Sequence, residues 1–227
     1  MRKIFPLIFI AILSSSCISR KTRKSMSVEE VYQKAMEYFQ RGKYSAAINY
    51  FNKIIYEFPR SSYVDDAQYY LAESYLREKD WDNAINEFKF FIGQFPNSEY
   101  FERAYIGMIT AYISKTPNPE LDQTDTKTGI RIAREYLFEH PDTRYRDQIK
   151  ALIREGEDRL ALKLFLISET YRHLKEYRAE KIYLEYLLEQ YPYAKIAEKA
   201  KQKLSECKEK LNEIGNTASA GNSSPKG

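Results

Sequence analysis

Apolar side chains recur along most of this chain every three or four residues, the spacing that lines one face of a helix. The pattern also repeats over a longer interval. The stretch "AAINYFNKIIYEFPRSSYVDDA" at 46–67 returns 37 residues later as "NAINEFKFFIGQFPNSEYFERA" at 83–104, with ten of 22 positions identical. A fixed period of about 35 residues marks a stack of similar helical units, each too small to bury its apolar face alone. The units align when the terminal prolines, Pro59 and Pro96, are both numbered position 32. Ala35, Tyr38, Ala47 and Phe51 then hold positions 8, 11, 20 and 24, as do Ala72, Tyr75, Ala84 and Phe88. Small residues at 8 and 20 let two helices approach closely, and the aromatics at 11 and 24 fill the space beside them. Proline ends the second helix of each pair. Gly42 and Lys79-Asp80 mark the turns inside the pairs.

A third unit spans Glu102 to Pro141, with Tyr112, Gly129 and Tyr136 at positions 11, 20 and 27. It carries an insertion within "SKTPNPELDQTDTKTG", where two prolines and a lack of periodicity predict a loop at 115–128. A fourth unit spans Ala161 to Pro192, with Tyr171, Leu184 and Leu187 at positions 11, 24 and 27. Glu180 stands at its position 20, where a small residue is expected. The stretch before it predicts one long helix over 144–173. "AKIAEKAKQKLSECKEKLNEI" is polar all round apart from Ile196, Leu204 and Leu211, and reads as a capping helix. From Gly215 the residues are small and polar, which predicts a disordered tail at 215–227. The unit pattern, with Leu71 at position 7, resembles the tetratricopeptide repeat. The expected fold is all-α, a right-handed superhelical solenoid of about four and a half helix pairs plus the C-terminal capping helix. Repeats one and two occupy 28–101 and repeats three to five occupy 102–214.

Composition agrees with long helices, because glycine and proline number only eight each. A net charge of +4, with no basic stripe interleaved with aromatics beyond the N-terminal linker, argues against nucleic acid as a partner. The 20 tyrosines suit half-buried surfaces or ones that receive a ligand.

The opening "MRKIFPLIFIAILSSSC" has a different design. Arg2 and Lys3 precede an apolar run from Ile4 to Leu13, then three serines and Cys17. That is a signal-peptide layout at 1–16, too short in its apolar part for a permanent span. The cysteine after small residues resembles a bacterial lipobox, although Ser14 holds the usual leucine place and Leu13 sits one residue back. Cys17 is thus the expected lipidation site, and 17–27 a tether with Arg20, Lys21, Arg23 and Lys24. Ile18, rather than aspartate, follows Cys17, which favours export to the outer membrane. With Cys17 acylated, Cys207 has no disulfide partner.

Catalytic signatures are missing from the sequence. It has two histidines, His140 and His173, and no HExxH, CxxC, GxSxG or phosphate-cradling glycine loop. His140 replaces the Phe of the other repeat ends, a packing position. No enzyme activity, metal or cofactor is expected. What remains is a binding surface. The resemblance to the tetratricopeptide repeat implies that the first helix of each unit lines the concave face, with positions 2, 5, 9, 12 and 13 open. In repeats one and two these include Tyr32, Met36, Phe39, Tyr69, Glu73, Leu76 and Arg77. An aromatic and aliphatic groove with a charged rim suits an extended peptide. The alternative is that each residue packs on a neighbouring helix or on the N-terminal arm. The same positions in repeat three are Arg103, Ile106, Thr110, Ile113 and Ser114.

Taken together, the lipobox, the first repeat "YQKAMEYFQRGKYSAAINYFNKIIYEFPRSSY", the second ending "FPNSEY" and the loop "LDQTDTKTG" resemble the BamD/YfiO family of outer membrane assembly lipoproteins. The resemblance covers residues 11–211. It implies a periplasm-facing scaffold, lipid-anchored in the outer membrane. It also implies partners: the barrel-forming assembly protein with its periplasmic domains, and segments of unfolded outer membrane barrels. A repeat scaffold for pilus assembly or cell-division coordination is the alternative.

Overall fold

The computed structural model describes residues 25–221. Among them are nine helices and no strand, so the chain is all-α. They are α1 (Val28–Gln40), α2 (Tyr44–Glu57), α3 (Val64–Glu78), α4 (Trp81–Gln94), α5 (Phe101–Lys115), α6 (Thr124–Glu139), α7 (Arg146–His173), α8 (Tyr177–Gln190) and α9 (Ala197–Gly221). Each packs against the next, and the odd-numbered α3, α5 and α7 also touch in sequence. Cys17, the signal segment and the tether up to residue 24 lie outside the described residues.

The core is a chain of four compartments, each shared by three consecutive helices. Ala35 of α1, Phe51 and Ile54 of α2 and Leu71 of α3 form the first. Tyr69 and Ala72 of α3, Phe88 and Phe91 of α4 and Met108 of α5 form the second. Ile109 and Ile113 of α5, Tyr136 of α6 and Ile149 of α7 form the third. Phe165 of α7, Leu184 and Leu187 of α8 and Ala200 of α9 form the fourth. Every odd-numbered interior helix therefore buries two faces, which is why one pair cannot stand alone.

The turns repeat as faithfully as the cores. Lys43, Asp80 and Glu176 each donate a backbone N–H to the carbonyl of the position-11 tyrosine, Tyr38, Tyr75 and Tyr171, all at 2.9 Å. The residue before each donor is left-handed: Gly42 at φ 69°, Lys79 at 62° and Lys175 at 61°. This closure satisfies helix-end carbonyls and reverses the chain. The α1 start is set by a capping box, in which Ser27 and Glu30 satisfy each other's backbone N–H.

Two boundaries differ from expectation. The loop of the third repeat covers only 116–123, not 115–128, because α6 begins at Thr124. The Asp122 carboxylate accepts from the Thr124 N–H at 3.1 Å and its hydroxyl at 2.8 Å, folding the polar "TDTKT" run into a first helical turn. Buried Gln123 holds the loop shut by donating to the Asn118 carbonyl at 2.7 Å and accepting from Thr126 at 2.8 Å. At the other end, α9 runs through Gly215 to Gly221. Ala218 and Ala220 favour helix there and no proline interrupts it before Pro225.

The α9 helix docks through Ala197, Ala200 and Cys207, all buried, spaced for one helical face. The Cys207 thiol donates to the Tyr177 carbonyl at 3.1 Å. Burial, then the nearby Glu180 charge, push this thiol up to about 11. A raised folded-state value means the thiol's contribution to stability is complete below the unfolded value and fades as pH rises through about 11. Native protein at pH 8 is expected to leave Cys207 unmodified by iodoacetamide, while urea-unfolded protein takes up one adduct there, as peptide mass spectrometry will read. Rapid native labelling would contradict the docked position of α9.

Candidate peptide-binding cleft

The first helices of the repeats line one face, and a cleft of about 430 Å³ opens on it. Tyr69, Glu73, Leu76 and Arg77 of α3 form one wall with Trp81 of α4, and Arg103, Ile106, Gly107, Thr110 and Ser114 of α5 form the other. Tyr145, which caps α7, and Gln148 in its first turn close the end. Four of the expected groove residues thus meet four of the open positions of repeat three.

Tyr69 is 2% exposed, so it borders the cleft with little open surface. Its ring stacks on Tyr100 at 4.4 Å, and the Arg103 guanidinium lies over both, 5.0 Å from Tyr69 and 5.3 Å from Tyr100. Burial holds the Tyr69 phenol neutral, well above its ordinary range. Glu73 pairs with Arg77 at 2.8 Å, one helical turn apart. That hydrogen bond and charge raise the Arg77 value further. Leu76 packs partly into the second core compartment.

Gly107 forms the floor. A Cβ there would lie under 3.0 Å from three atoms of the Phe88 ring, so the backbone of α5 sits directly on that ring. The long α7 is held against α5 by Arg159, which donates to the Ile113 carbonyl, and Lys163 donates to Leu121 of the loop at 2.6 Å. These bonds hold the middle of α7, while Ile149, buried in the third compartment, seats the start that closes the cleft.

The three groove residues of the first repeat stand elsewhere. The Tyr32 hydroxyl donates to the Asp66 carboxylate at 3.1 Å, and its ring lies 4.7 Å from Tyr63. Phe39 meets Tyr70 at 5.2 Å and Tyr44 at 5.5 Å, edge to face. Met36 is half-buried against the first core compartment. Tyr32 and Phe39 join repeat one to repeat two. Burial raises the Asp66 value, and the Tyr32 hydrogen bond offsets part of that.

Trp81, Tyr145 and Gln148 were not expected in the cleft. One signal does point to Tyr145: it follows Pro141 by four residues, as Tyr63 follows Pro59 and Tyr100 follows Pro96. His140 packs 4.5 Å from Tyr136, and His173 is the last residue of α7. Among the described residues, no three His, Cys, Asp or Glu side chains are grouped to hold a metal ion. No described helix is long and apolar enough to cross a membrane.

The family comparison agrees with an envelope setting. A family model described as "YfiO: Outer membrane lipoprotein" matches residues 24–224. Among solved structures, the chain is similar to a thermophilic TPR protein of Thermus thermophilus. The two are 16% identical with a TM-score of 0.43, over 80% of this chain and 98% of that one. A search of curated proteins gives no match. The family match leaves only residues 1–23 and 225–227 outside it, and the chain belongs to the YfiO family of outer membrane lipoproteins.

Proposed function

We propose that this protein is a non-catalytic, periplasm-facing scaffold of outer membrane β-barrel assembly. Its cleft receives extended segments of unfolded barrel precursors, and other surfaces hold the barrel-forming subunit through its periplasmic domains. The observation that carries this reading is the cleft itself, where Tyr69, Leu76, Trp81 and Ile106 stand beside Arg77 and Arg103. Large apolar anchors with a few polar groups are what an extended chain needs for purchase without a fixed sequence. Membership in an outer membrane lipoprotein family supplies the compartment. Lipidation at Cys17 would hold the protein there, since two or more acyl chains give stable anchoring. Seven residues lie between Cys17 and Ser25, eight steps of the chain and a reach of at most about 28 Å, which keeps α1 near the membrane.

A photo-crosslinker placed at Ser114, on the cleft wall, tests the reading. In growing cells it is expected to trap outer membrane barrel precursors, whereas the same group at Tyr56, an exposed position on α2, is not. Equal trapping from both positions, or none from Ser114, would contradict it.

A further inference from the structure

We propose that Arg103 makes this cleft selective for peptide segments carrying an acidic side chain next to a bulky apolar one. The inference rests on the peptide-binding reading and adds a chemical preference to it.

Three observations lead there. First, the cleft holds an unneutralised cation. Of its charged lining residues, Glu73 and Arg77 pair with each other at 2.8 Å. Arg103 has no carboxylate within ion-pair distance among the described residues; Glu73 acts on it only from farther off, and its guanidinium lies against the rings of Tyr69 and Tyr100. Second, the guanidinium is held against the Tyr69 and Tyr100 rings while its N–H groups make no hydrogen bond among the described residues, which leaves them to grip a carboxylate with two parallel bonds. The stacked Tyr69–Tyr100 pair makes that platform rigid, because Tyr69 is itself buried. Third, apolar contact lies within reach of the same group: Ile106 follows Arg103 by one turn on α5, and Leu76 faces it from α3.

The cleft also fits a passing chain in length. From Arg103 to Ser114 it follows α5 for about 16 Å, the span of about five extended residues.

The test uses the mature full-length protein in detergent and two short peptides capped at both ends, so that neither has a chain-end charge. They are identical except for Glu or Gln beside a Phe. Binding is read by fluorescence anisotropy. The Glu peptide is expected to bind about tenfold tighter, a ratio that falls towards one in R103Q and is partly kept in R103K. Raising salt should shrink the ratio in wild type. Melting curves of both variants report whether the fold is kept, and R103K supplies the answer if R103Q unfolds. Equal binding of the two peptides by wild type would overturn the proposal while leaving the cleft as a peptide site. So would a preference that survives R103Q. Binding that needs an uncapped chain end would overturn it by moving the carboxylate to the terminus. If neither capped nor uncapped peptides bind, the peptide-binding reading falls as well.

Discussion

Replacing Arg172 by methionine is expected to destabilise the folded chain by about 3 kcal/mol. Glu180 of α8 is fully buried, and the Arg172 Nε lies 2.7 Å from its Oε1. The same guanidinium reaches Glu206 at 2.9 Å and the Lys203 carbonyl at 3.3 Å, both on α9. One side chain therefore ties three helices together around a buried carboxylate. The Oε2 of Glu180 has no hydrogen-bond partner among the described residues, and the arginine is the one cation paired with this carboxylate there. The repeat itself supplies the control. Position 20 is Ala47, Ala84 and Gly129 in the other units, and only the fourth has a glutamate there. Adding Glu180→Ala to Arg172→Met removes the orphaned charge and restores the small residue. The double variant is expected to regain most of the lost stability, and urea midpoints with a double-mutant cycle will read the coupling. Additive losses would mean that the buried carboxylate is not what the arginine stabilises.

Gly107→Ala is expected to cost roughly 2 kcal/mol, because the new methyl group would meet the buried Phe88 ring below 3.0 Å. The ring is enclosed by the second core compartment and cannot swing aside without moving α4 from α5. Gly93→Ala provides the contrast. Nothing lies within 4 Å of a Cβ at that position on α4, so the alanine should leave stability unchanged or raise it by a few tenths of a kcal/mol. Gly107 also floors the cleft, so its alanine variant should weaken peptide binding while Gly93→Ala does not. Equal melting temperatures for the two variants would contradict the close α4–α5 packing.

The helical stack was legible because its cause is local. A small residue at positions 8 and 20, an aromatic at 24 and a proline at 32 each report a nearby steric demand, and Ala35, Ala72, Phe51 and Phe88 are all fully buried. The cleft was only half legible. Periodicity tells which face of a helix a residue occupies, not whether the next repeat fills the space in front of it. Tyr32 and Tyr69 share position 5, yet Tyr32 bonds to Asp66 while Tyr69 lies under Arg103. The difference is set by position 2 of the following unit, aspartate in one and arginine in the other. The closing end of the cleft was hidden for another reason. The α7 helix serves two compartments, with Ile149 in the third and Phe165 in the fourth. A single repeat register laid from Ala161 leaves out its first turn, and with it Tyr145 and Gln148. The tail boundary was read from composition, but Gly215 inside a docked helix costs only about 1 kcal/mol relative to alanine and does not stop it.

The most direct test of the scaffold role is to tag the chain after Gly227, solubilise native envelopes in mild detergent and quantify what co-elutes. The expected result is a large outer membrane barrel protein with periplasmic domains, recovered in near-stoichiometric amount. Recovery of pilus or cell-division proteins with no such barrel would contradict the assembly role.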